Sequence, residues 1–168
     1  MGAGSDLPRG TPRKDSSGPT GAGTAPPPVA FVSMPSPACR HVVLTCMDFR
    51  FVEPLHRFLE AEGIAGDEDL LSWPGGAACL SLADERERAL DALALARKLH
   101  GCERVLLVTH EDCMRLGGSA MYADDLAERD ALAAHLRRAA GEVRASIPDL
   151  EPRAFVLLRS GDVVEIGV

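Results

Sequence analysis

The chain has 168 residues, the length of one domain with a real core, and a formal net charge of −7. Arg9, Arg13, Lys14 and Arg40 against Asp6 and Asp15 leave residues 1–40 at +2, so the remainder carries −9. An acidic body without a basic patch argues against nucleic acid as a partner, and no apolar run is long enough to span a membrane.

Residues 1–38 are rich in Gly, Ser, Thr and Pro, include Pro26-Pro27-Pro28, and lack hydrophobic periodicity. They read as a disordered tail, with Phe31, Val32 and Met34 as a candidate anchor on the domain. No apolar leader precedes them, so no secretory signal is expected. Residues 39–168 read as the folded domain.

His41–Cys46 is a buried-strand pattern. Residues 52–62 carry Val52, Leu55, Phe58 and Leu59 at helical spacing, with Gly63 as the stop. Residues 69–73 form a second short strand, ended by Pro74-Gly75-Gly76. A helix is expected over 84–100, with Asp84 as N-cap, Leu90, Leu93 and Ala94 on one face, and Gly101 after its end. Residues 104–109 are a third strand. A long helix over 124–146 points Leu132, Leu136 and Val143 inward and stops before Pro148. Residues 154–158 make a fourth strand, and Ser160-Gly161-Asp162 turns it into a fifth over 163–166. This alternation predicts an α/β domain with a mostly parallel sheet flanked by helices and an antiparallel C-terminal edge strand.

The chemistry concentrates in two clusters, Cys46-Met47-Asp48-Phe49-Arg50 and His110-Glu111-Asp112-Cys113. Each follows a predicted strand, and crevices of open α/β sheets form at the carboxyl ends of strands. Two thiols and an imidazole suit one zinc ion with a fourth position open to water. His110 and Cys113, three apart, reach one side of a turn. If the chain stays extended past Cys46, then Cys46, Asp48 and Arg50 share a face, and Met47 and Phe49 face the packing side. Arg50 would keep Asp48 ionised and aimed, unless Asp48 itself becomes the fourth ligand. Five cysteines, an odd number without an export signal, indicate a reducing cytoplasm rather than a disulfide framework.

The Cys46-Met47-Asp48-x-Arg50 cluster, the strand followed by His110-x-x-Cys113, and Gly75-Gly76 together resemble the β-class carbonic anhydrases over roughly residues 40–168. The resemblance implies an α/β zinc enzyme that hydrates carbon dioxide to bicarbonate and a proton by a zinc-bound hydroxide. It implies Cys46, His110 and Cys113 as zinc ligands, Asp48 and Arg50 as the catalytic dyad, and a homodimer or a higher assembly. The chain departs from the family pattern at Ser72–Gly76 and at Met114, which follows the second cysteine ligand. It also has a Pro-rich tail where many members have helical arms. Two alternatives accompany this reading: a hydrolase of carbonyl sulfide or carbon disulfide, and a non-catalytic zinc-binding module.

The remaining groups read as bland. Glu111 and Asp112 are expected to be solvated or to cap a helix. His41, His56, His100 and His135 lack partners at ligand spacing. Cys39, Cys79 and Cys102 read as packing cysteines, with Cys79 the best spare ligand because it follows the glycine pair. Gly75-Gly76 is either turn chemistry or a backbone donor near the metal.

Overall fold

The computed structural model describes residues 37–168. The expected tail over 1–38, with its anchor at Phe31, Val32 and Met34, lies outside the described residues except for its last two positions. The strands are β1 (His41–Cys46), β2 (Glu68–Trp73), β3 (Arg104–His110), β4 (Glu151–Leu157) and β5 (Val163–Ile166). The helices are α1 (Val52–Ala61), α2 (Arg86–His100) and α3 (Asp125–Ser146). Among the described residues no helix is long and apolar enough to cross a membrane.

The sheet order is β2-β1-β3-β4-β5. β1 pairs parallel with β2 and β3, β3 pairs parallel with β4, and β5 closes the edge antiparallel to β4. The predicted fold class is therefore the observed one. Its alternation puts successive side chains on opposite faces. Val42 and Leu44 of β1, Val105 and Leu107 of β3, and Ala154 and Val156 of β4 pack with Leu93, Leu132, Leu136 and Val143 of α2 and α3. Val43, Leu106, Val108, Phe155 and Leu157 pack on the other face with Leu55 and Leu59 of α1.

This topology places the functional crevice. The chain leaves β1 through α1 to reach β2, then crosses back through α2 to β3 on the other side of β1. The strand order reverses between β1 and β3, so their carboxyl ends splay apart at a topological switch point. Cys46 ends β1 and His110 ends β3.

Three local expectations are corrected. Helix α2 begins at Arg86, and Glu85, not Asp84, occupies its N-cap without a side-chain bond. Both acids instead turn to Arg115, Asp84 at 3.3 Å and Glu85 at 2.7 Å. The buried stripe of α2 is Ala89, Leu93 and Ala96, while Ala94 is exposed. Strand β4 starts at Glu151, ahead of the predicted 154, because Pro152 lies inside it in register with Val105.

Candidate metal centre

Strand β1 stops at Cys46 because the chain turns there. Asp48 is extended (φ −66°, ψ 115°) and caps a short 3-10 turn over Phe49–Phe51, its Oδ1 accepting from the Arg50 N–H at 3.0 Å. The period-two alternation expected through Arg50 therefore ends at the strand. Asp48 and Arg50 meet by capping instead. The same turn reverses the expectation for Met47 and Phe49, which face solvent, Phe49 with 83% of its surface exposed. Phe51 is the residue that turns inward, and its ring stacks on His110 with centroids 4.1 Å apart.

A ligand atom from each of Cys46, His110 and Cys113 lies within 4.8 Å of the others. His110 is buried and its Nδ1 contacts the Glu111 carbonyl at 2.7 Å, which assigns the proton to that nitrogen. Its Nε2 is left with a free lone pair. That atom is buried and has no hydrogen-bond partner, which is costly for a polar nitrogen in a packed interior. The neighbouring Cys113 draws the Cys46 thiol far below its ordinary range, and the closeness of Cys46 pushes Cys113 up. An orphaned imidazole nitrogen facing two sulfurs is a donor set that fits a borderline-soft divalent cation such as zinc.

Asp48 stands beside this cluster, its Oδ2 4.0 Å from His110 Nε2 and its side chain 17% exposed. Both its oxygens are engaged by Arg50, whose Nη2 donates to Oδ2 at 2.6 Å and whose Nε donates to Oδ1 at 3.0 Å. That guanidinium holds the Asp48 carboxyl down at about 2. These groups line a cleft of about 490 Å³ whose apolar wall includes Met47, Phe49, Pro74 and Met114.

The sequence reading missed two supports. Asp112 adopts φ 56°, unusual for a residue with a side chain, and its Oδ2 accepts from Arg50 Nη1 at 2.8 Å. Arg50 is thus clamped between two carboxylates. The fully buried Glu128 fixes this loop, its Oε1 accepting from the Asp112 N–H at 2.7 Å and its Oε2 from Ser119 Oγ at 2.6 Å. Glu111, expected to be solvated or capping, is only 2% exposed. It accepts from Arg129 Nε at 2.6 Å and from the Arg159 N–H at 2.8 Å. The Arg129 and Arg159 side chains are 42% and 47% exposed and keep their water, so Glu111→Ala is expected to destabilise the protein by about 1–3 kcal/mol, chiefly through the Arg159 N–H left unpaired, measurable as a lowered urea midpoint at unchanged slope.

Gly76 is a packing device. At φ 58° a Cβ there would collide with the Val108 carbonyl oxygen and sit 2.8 Å from the Cys46 nitrogen. The loop after β2 can lie against the ends of β1 and β3 only without a side chain. Gly76→Ala is expected to cost on the order of 3 kcal/mol from strain and overpacking. It should also loosen the cluster, and zinc affinity compared with wild type would report that. Cys79, the spare ligand candidate, packs in the core beside Leu80 and Leu93 and belongs to no metal-competent cluster among the described residues. His100 is not partnerless: its Nδ1 lies 2.6 Å from Asp69 Oδ2.

Comparison with known proteins bears on the whole arrangement. A family model described as "Putative carbonic anhydrase" matches residues 36–149, which include both clusters. An uncharacterized protein of Rickettsia bellii is 22% identical over 133 residues, covering 74% of this chain and 80% of its own. One from Rickettsia conorii is 23% identical over 133 residues, covering 74% of this chain and 70% of its own. The crystal structure of β-carbonic anhydrase isoform I from Trichomonas vaginalis superposes with a TM-score of 0.55 at 16% identity. That superposition covers 82% of this chain and 87% of the other, so the two share a fold. The family match over two thirds of the chain, together with that fold, shows that this protein belongs to the carbonic anhydrase family and has its β-class architecture.

Proposed function

We propose that the protein catalyses the reversible hydration of carbon dioxide to bicarbonate and a proton, with zinc held by Cys46, His110 and Cys113. The observation that carries this reading is the buried, unpartnered Nε2 of His110 facing two sulfurs, with an arginine-held carboxylate 4.0 Å away. Zinc in that donor set would supply the Lewis acidity that ionises a water near neutral pH. Two thiolates neutralise much of the cation's charge, so neighbouring groups must help. Asp48 accepts a hydrogen bond from the attacking water and turns its lone pair toward the substrate carbon. Arg50 keeps that carboxylate ionised and aimed, and Asp112 holds Arg50 from its far side. The apolar wall of the cleft suits a small linear molecule without charge.

Stopped-flow hydration of carbon dioxide by zinc-loaded protein tests the reading. Fast, zinc-dependent turnover supports it. A loaded protein that is inert across neutral and alkaline pH overturns it. Sulfide release from carbonyl sulfide or carbon disulfide would then assign the hydrolase, and inertness toward those too would leave a structural zinc module.

The expectations of a homodimer or higher assembly and of a reducing cytoplasm belong to the same reading. Phe49, Met47 and Met114 stand 83%, 63% and 73% exposed around the mouth of the cleft, an apolar rim that a second copy would cover. Phe49→Glu is expected to weaken self-association at least about 30-fold, as for a central interface aromatic, read by sedimentation velocity. All five cysteines are unpaired, which suits a compartment that keeps thiols reduced.

A further inference from the structure

A second set of metal-binding donors lies at the opposite end of the sheet. Cys39 precedes β1, Asp69 lies near the start of β2, His100 ends α2, and Cys102 precedes β3. A ligand atom from each of Cys39, Asp69 and His100 lies within 4.8 Å of the others. Cys102 Sγ lies beside two members of that set, 3.5 Å from Cys39 Sγ and 3.8 Å from Asp69 Oδ2. We propose that Cys39, Asp69, His100 and Cys102 form a second, structural site for zinc or a similar borderline-soft divalent cation, separate from the cleft at the carboxyl ends of the strands.

The spacing fits the ion. Zinc bonds of about 2.3 Å to sulfur and 2.0 Å to nitrogen or oxygen put the edges of a tetrahedron at about 3.3–3.8 Å. The sulfur–sulfur and sulfur–carboxylate separations already have that length. The 2.6 Å contact between His100 Nδ1 and Asp69 Oδ2 is a hydrogen bond that opens by less than about 1 Å when both turn to a cation. The backbone is already arranged. Gly101, at φ 79°, ends α2 and folds the chain so that His100 and Cys102 reach the same carboxylate. The Cys39 N–H bonds the His100 carbonyl at 3.1 Å, and the Glu103 and Arg104 N–H groups bond the Arg40 carbonyl at 2.9 and 3.1 Å.

A route in exists, because His100 and Asp69 are 35% and 25% exposed and border a small surface pocket with Cys39. Filled, the site ties the point where residues 1–36 join the domain to β2, α2 and the start of β3.

Cobalt(II) titration of the full chain under reducing conditions tests this, using Cys46→Ser/Cys113→Ser protein to silence the other thiolates. A near-ultraviolet thiolate-to-cobalt band is expected. It should vanish when Cys39→Ser/Cys102→Ser is added, and His100→Ala should weaken cobalt binding at least about tenfold. Absence of the band, or its survival after Cys39 and Cys102 are replaced, overturns the proposal. So does a Cys39–Cys102 disulfide in the purified protein that takes up no metal once reduced. If the Cys46→Ser/Cys113→Ser protein does not fold, zinc content decides. Wild type should carry two ions per chain, and Asp69→Asn/His100→Ala one, with hydration activity kept. One ion in both overturns the site, whichever way the activity reading falls.

Discussion

Cys113→Ser is expected to strip zinc from the cleft and to reduce carbon dioxide hydration to the uncatalysed rate. The sulfur at 113 is buried, so it has no solvent to fall back on. A serine hydroxyl stays protonated at working pH and offers a neutral oxygen in place of an anionic sulfur. Structural zinc sites of four ligands bind with about 10–16 kcal/mol, so one ligand accounts for roughly 3 kcal/mol and its loss for about a 10²–10³-fold weaker affinity. Competition titration with a chromogenic chelator reads that loss directly. Cys79→Ser is the control, because Cys79 is equally buried but sits in the core away from the cluster. Equal zinc affinity in both variants would remove Cys113 from the ligand set. Chelation of wild-type protein should reproduce the activity loss, and zinc should reverse it. The Cys113→Ser protein should not respond to zinc at concentrations that restore wild type.

The strand-end cysteine and histidine were legible because each closes a run of apolar β-formers, and such runs announce both the strand and its end. Period-two alternation likewise assigned Val42 and Leu44 to one face and Val43 to the other. The alternation misled at Met47, where the capping preference of Asp48 stops the strand and starts a 3-10 turn. Asp48 and Arg50 still come together, through a local cap that linear spacing does not distinguish from an extended pair. The part played by Asp112 was hidden by a left-handed backbone that no local pattern announces. Cys39, Asp69, His100 and Cys102 were illegible for a different reason. They meet only because β1 and β2 run parallel with His41 beside Glu68, and because Gly101 turns α2 back toward β3. Strand register is a long-range property, and no short spacing encodes it.

Asp48→Asn separates catalysis from metal binding. The substitution keeps the side chain's volume and its place before the 3-10 turn, and removes the charge that Arg50 holds. Zinc content is expected to remain that of wild type, while kcat falls by about 10²–10⁴, the range for a lost proton acceptor. Arg50 then keeps only Asp112 as a charged partner. The pH dependence should be informative by its constancy. Arg50 holds Asp48 at about 2 against an ordinary 3.8, so the carboxylate is ionised throughout the neutral range. The stability it contributes is fully present above 3.8 and is lost only as the pH falls toward 2. Asp48 therefore cannot be the group whose titration shapes activity between neutral and alkaline pH. The Asn variant should keep the wild-type midpoint while losing amplitude. A shifted midpoint with full amplitude would make Asp48 a tuner of another group's proton affinity. Full rate with zinc retained would reduce it to the cap of the Phe49–Phe51 turn, and the water would then need its acceptor elsewhere in the cleft.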